Sequence, residues 1–124
     1  MSNEKVEVGI LFSDGVITEV IAPKNPHDYL DFFYKKLDVR MIDIVAFEIG
    51  GTLIELTCDD EGLFVSGSPV YHYAEGVNIA GNVMITKGVG YDGKTLFFDS
   101  MDDHDRIDEV IRYLMDVRKI GTVK

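Results

Sequence analysis

Tyr71-His72-Tyr73 is the one run in the chain that sets two aromatic faces around an imidazole. It lies in the stretch 66–81, punctuated by Gly67, Pro69, Gly76 and Gly81, which has the composition of a long functional loop. Aromatic faces in such a loop can stack on a base. A second glycine-rich stretch sets Gly88, Gly90 and Gly93 in the spacing Gly-x-Gly-x-x-Gly, contains Tyr91 and is flanked by Lys87 and Lys94. A dinucleotide fingerprint of that form must open a helix, whose amino terminus helps to hold the pyrophosphate. Here the following residues, Lys94-Thr95-Leu96-Phe97-Phe98, read as a strand, so the stretch is a hairpin loop in which the two lysines can meet an anion. Tyr71, His72, Tyr73, Lys87, Tyr91 and Lys94 are the candidate ligand-binding residues.

The requirements of catalysis and of metal binding are not met by spacing. His27, His72 and His104 are far apart, and none has a second histidine or cysteine at zinc-ligand distance in the sequence. The acidic clusters Asp59-Asp60-Glu61 and 99–109 lack the calcium-loop spacing, and the second places its charge on the first turns of a helix, as the helix dipole prefers. Cys58 falls in a strand just before an acidic turn that raises a thiol pKa. Ser66 and Ser68 form no nucleophile elbow. The expectation is a protein with no catalytic residues, no metal and no cofactor.

A chain of 124 residues is one domain, 1–124, large enough to bury a core without disulfides. Its 22 acidic and 12 basic residues give a net charge of -10, which argues against direct nucleic-acid binding, because phosphate contacts need many lysines or arginines. One cysteine cannot form an internal disulfide, and no apolar run approaches the ~20 residues that span a bilayer. A cytoplasmic protein without membrane contact is expected.

Val6–Phe12 and Val16–Ala22 are β-rich runs about Asp14-Gly15, a tight-turn signal that predicts a hairpin. Asn25 and Pro26 then supply a helix cap and first position, and Leu30, Phe33, Tyr34 and Leu37 give the helix one apolar stripe. Met41–Ile49 is apolar on nearly every residue, which predicts a strand covered on both faces for much of its length. Gly50-Gly51 returns it to Thr52–Cys58, setting Ile49 opposite Thr52 and Phe47 opposite Ile54. Leu63–Val65, Asn82–Thr86 and Lys94–Phe98 read as further strands, the last two joined as a third hairpin. Ser100 and Asp103 read as a capping box for a closing helix through Ile107, Val110, Ile111, Leu114 and Val117, which Gly121 stops. The order β-β-α-β-β-β-β-β-α predicts an α+β fold with a largely antiparallel sheet and two packed helices.

Met41-Ile42-Asp43-Ile44-Val45, the Gly50-Gly51 turn, Cys58-Asp59-Asp60-Glu61-Gly62-Leu63 and Ile79-Ala80-Gly81-Asn82-Val83-Met84-Ile85 resemble a family of small uncharacterised proteins carried by phages, plasmids and conjugative elements. The likeness runs from about residue 37 to 114; Pro69-Val70-Tyr71 stands where the family has a proline-asparagine signature. The resemblance implies an accessory protein acting in the host cytoplasm by binding. Its partner would be a small nucleotide-like signal or a host defence protein, which it sequesters or caps. Two other readings accompany this one. The charge suits an acidic DNA mimic that inhibits a host nuclease, and open strand edges suit an interaction subunit that forms a homodimer.

Overall fold

The computed structural model describes residues 6–62, 65–89 and 95–124. It opens with a hairpin, β1 (Glu7–Ser13) and β2 (Val16–Ile21), whose turn residues Asp14 and Gly15 both take positive φ, 49° and 82°. A 3₁₀ turn over Pro26–Asp28 leads into α1 (Tyr29–Leu37), and the Asn25 side chain accepts the His27 N–H at 3.0 Å, as a cap should. A second hairpin joins β3 (Ile42–Ile49) to β4 (Thr52–Asp59) in the expected register, with Ile49 opposite Thr52 and Phe47 opposite Ile54. Then come β5 (Pro69–Ala74), β6 (Val77–Ala80), β7 (Val83–Thr86), β8 (Gly88–Val89), β9 (Thr95–Leu96) and β10 (Phe98–Asp99). The chain continues through α2 (His104–Met115) to β11 (Arg118–Thr122). The fold is α+β with a mostly antiparallel main sheet.

In that sheet β1 pairs along its whole length with β2, so β7 and β10 must share its other edge; beyond β7 lie β4 and then β3. Alternation sends Val8, Ile10, Phe12, Ile54, Leu56, Val83 and Ile85 to one face, where Ile107, Val110 and Leu114 of α2 meet them. The second sheet, ordered β11-β5-β6, lies over the same face through Tyr71, Tyr73 and Ile79. The opposite face carries Leu11, Val20, Met84 and Ile42, and α1 covers part of it with Phe33 and Leu37. Phe97 and Phe98 point to opposite sides, one into each core. Phe97 stacks on Phe33 with ring centroids 5.9 Å apart and meets Tyr29 edge-on at 4.9 Å.

Several sequence expectations give way to long-range pairing. The stretch 66–81 contains a hairpin, β5 and β6 turning at Gly76 (φ 78°), because Tyr71 and Tyr73 alternate inward. Strand β3 is not covered on both faces: it is the last strand of the sheet, and Asp43, Ile44, Ala46 and Glu48 are exposed. The partner of β7 is not the 94–98 segment, since its two edges belong to β1 and β4. That segment splits into β9, which makes a two-residue ribbon with β8, and β10, which joins β1. The expected strand at Leu63–Val65 falls for its first two positions outside the described residues, and Val65 lies in a bend.

Ser100 does not cap α2. Its Oγ accepts the Val6 N–H at 3.1 Å, while the Asp103 carboxylate accepts the Asp99 N–H at 2.7 Å and the helix starts at His104. The helix ends at Met115 because Arg118–Thr122 is drawn into pairing with β5, and Gly121 sits beside a register shift in that strand. Leu30, placed on the apolar stripe of α1, faces solvent.

The second hairpin is fastened to α2. Arg106 pairs with Glu109 and donates from Nη1 to the Ile49 carbonyl at 3.3 Å. Gly50, at φ 61°, lies so close that an added Cβ would stand 2.5 Å from Glu109 Oε2. Gly50→Ala therefore lowers the unfolding free energy by about 1–2 kcal/mol in a denaturant titration. Adding Glu109→Ala restores part of it, whereas Gly51→Asn, with nothing within 4 Å, costs less.

Candidate functional site

Strand β5 decides the fate of the aromatic run. Pro69 opens the strand, where a missing N–H is tolerated, and period-two alternation turns Tyr71 and Tyr73 inward and His72 outward. The Tyr71 and Tyr73 rings are 6% and 3% exposed and meet Phe12 edge-on, with centroids 4.9 and 6.0 Å away. Their faces are packed against protein. His72 is exposed and its Nδ1 is 2.7 Å from Asn78 Oδ1 on the neighbouring strand. Lys87 follows β7 and binds Asp103 at 3.1 Å, at the head of α2. Tyr91 and Lys94 lie outside the described residues. The described members of the set thus divide between the core, the outside of the second sheet and an ion pair.

Burial also fixes the chemistry of Cys58 and Tyr73. Desolvation, followed by the nearby Asp43, Asp59 and Asp60 carboxylates, pushes the Cys58 thiol up to about 11. Desolvation raises the Tyr73 phenol further still, and its hydroxyl has no hydrogen-bond partner. The Tyr73 carbonyl, by contrast, accepts from the Tyr113 hydroxyl. Among the described residues no group of three or more histidine, cysteine or acidic side chains could hold a metal ion.

Among the cavities of the described residues, two bear on a contact site. A cavity of about 340 Å³ lies along the Asp59–Glu61 turn, lined by Asp38, Val39, Arg40, Asp59, Glu61 and Val65. Its one cationic lining residue, Arg40, stands 3.7 Å from Glu61 and is highly exposed, so the cavity is mostly acidic. The other region is the uncovered part of the α1 face. There Pro26, Tyr29, Leu30, Phe33, Ile42, Ile44 and Thr95 line an open groove of about 280 Å³. Leu30 and Ile44, which line it, are 51% and 48% exposed, and Leu53, 58% exposed, lies on the same face of the sheet nearer the Gly50-Gly51 turn. Glu48 lies opposite Leu53 and Glu55 opposite Ala46 on this face. Burial raises the Glu55 carboxyl above the ordinary carboxylate value.

Sequence reasoning placed the candidate site elsewhere, although a signal for this region was present. Strand β3 is apolar on both sides, and in β4 Leu53 falls out of phase with the buried Ile54, Leu56 and Cys58. No family model, curated protein or solved structure matches the chain. Among the described residues no helix is long and apolar enough to cross a membrane.

Two outcomes follow from the buried groups. Below its raised pKa the Cys58 thiol is protonated, with roughly a thousandth as thiolate at pH 8. Iodoacetamide should therefore label the native chain far more slowly than the urea-unfolded one, with a rate that climbs up to about pH 11. Tyr73→Phe removes an unpartnered buried hydroxyl, so its melting temperature should equal or exceed that of the wild type, whereas Tyr113→Phe should lower it.

Proposed function

We propose that this is a non-catalytic binding protein that works by covering part of another protein. The observation that carries the reading is the uncovered apolar part of the α1 face, where Leu30 and Ile44 are exposed in an open groove and Leu53 is exposed farther along the same face. Exposed apolar side chains on one face, bordered by Glu48 and Glu55, offer a surface that another protein can cover. Of the two partner classes expected from the sequence, the protein is better supported than the nucleotide. A nucleotide would need free aromatic faces beside a cation, but Tyr71 and Tyr73 are packed on Phe12 and Lys87 is paired with Asp103. The resemblance to proteins of mobile elements makes a host defence protein the partner class, capped in the cytoplasm of the host.

The test compares the wild type with an Ile44→Asp, Leu53→Asp double variant, both shown by thermal unfolding to be folded. The wild type should capture a discrete host protein that the variant binds at least about tenfold more weakly. Equal capture by the two overturns the reading, as does calorimetric binding of a cyclic or ADP-ribose-type nucleotide.

A further inference from the structure

Building on that protein-binding reading, we propose that β3 takes up an extended segment of the partner as an added antiparallel strand. The segment carries basic residues opposite Asp43 and Glu48 and apolar residues opposite Ile44 and Ala46. Strand β3 ends the main sheet, and among the described residues nothing pairs with its outer edge. Its eight residues pair with β4 without a bulge, which leaves a long, regular edge of the sort that strand addition uses.

The hairpin turn fixes which backbone groups that edge offers. A two-residue turn closes on a hydrogen-bonded pair, here Ile49 and Thr52, and such pairs alternate along an antiparallel ladder. Odd-numbered residues of β3 thus bond to β4, and the Met41 carbonyl, which accepts the Asp60 N–H at 3.1 Å, continues the series. The backbone groups of Ile42, Ile44, Ala46 and Glu48 turn outward. The Ile44 N–H takes the neighbouring Asp43 Oδ1 at 2.9 Å, a local substitute for the missing strand.

Charge selects the occupant. Strands β3 and β4 carry Asp43, Glu48, Glu55 and Asp59 and no lysine or arginine. A second copy would bring the same carboxylates on a chain of net charge -10, whereas a basic segment neutralises them. Because Asp43 and Glu48 are five residues apart, they face opposite sides of the sheet. Antiparallel pairing therefore asks for the order basic, any, apolar, any, apolar, basic, with both apolar residues on the side of Ile44 and Leu53. A cation opposite Asp43 also compensates that carboxylate when it releases the Ile44 N–H.

The experiment titrates the full chain with the capped peptide Lys-Thr-Val-Thr-Val-Lys at about millimolar concentration and follows amide hydrogen exchange. Protection should appear at Ile44, Ala46 and Glu48 and leave Val45 and Phe47 unchanged. Glu-Thr-Val-Thr-Val-Glu and the proline peptide Lys-Thr-Pro-Thr-Val-Lys should each bind at least about tenfold more weakly. An Asp43→Asn, Glu48→Gln variant should lose the preference for the basic peptide over the acidic one. Equal binding of acidic and basic peptides overturns the proposal. So does protection of the same amides without peptide in a sedimenting dimer, which would assign the edge to a second copy. Partner capture that depends on Ile44 and Leu53 while the edge amides still exchange also overturns strand addition, and it leaves the covering function standing.

Discussion

A buried strand must find a partner for every backbone N–H and C=O on both of its edges, and in this molecule that requirement falls on β1. Local sequence satisfies one edge, through the Asp14-Gly15 turn and β2. The other edge is filled from distant parts of the chain, β7 at Ile10–Phe12 and β10 at Glu7–Val8. The Val6 N–H bond to Ser100 Oγ and the Ser100 N–H bond to the Val6 carbonyl extend the same closure. Joining the first and last thirds of the chain in this way places Phe97 and Phe98 on opposite faces, so one short segment contributes to both cores. Gly9 sits within this arrangement because an added Cβ would stand 2.8 Å from Met84 Sδ on β7.

The two faces are covered unequally, and helix dimensions explain why. Strands lie about 4.8 Å apart, and a helix about 10 Å wide shields roughly two of them. The α2 face is closed by a twelve-residue helix and a three-stranded second sheet together. Among the described residues, the opposite face is covered chiefly by the nine residues of α1, whose core side chains Phe33 and Leu37 join a cluster with Met84, Phe97 and Ala22. Ile44 and Leu53, on the edge hairpin, are left in contact with water. That uncovered surface is a geometric remainder of the fold, and its apolar side chains are what the proposed contact would cover.

Local physics made much of this legible from the sequence. Two-residue turns with positive φ made both early hairpins legible, and the register of the second, while Asn25 and Pro26 cap and open the 3₁₀ turn that leads into the first helix. What was not legible depended on partners far away in the chain. Ser66 to Gly81 looked like a loop because proline and glycine punctuate it, yet Phe12 supplies the surface that holds Tyr71 and Tyr73 as strand residues. Arg118 and Lys119 looked like the end of a helix until β5 offered an edge. The candidate site was hidden for a related reason. An apolar strand reads as covered on both faces, and no local pattern says whether the cover comes from the same chain.

Carboxylates on an open edge serve two ends at once. Natural sheets use charge to keep edges from pairing indiscriminately, and Asp43 does so here both by its charge and by occupying the Ile44 N–H. The same charge sets a sign requirement on whatever does pair. For an acidic segment, or for a second copy of this chain, strand addition would stack repulsion on the loss of the Asp43 bond. For a basic segment the bond is exchanged for an ion pair shielded on one side by the sheet, where Coulomb attraction is stronger than in bulk water. Backbone pairing supplies affinity that is indifferent to sequence, so discrimination must come from side chains. On β3 those are Asp43 and Glu48 on opposite faces, with Ile44 and Ala46 between them.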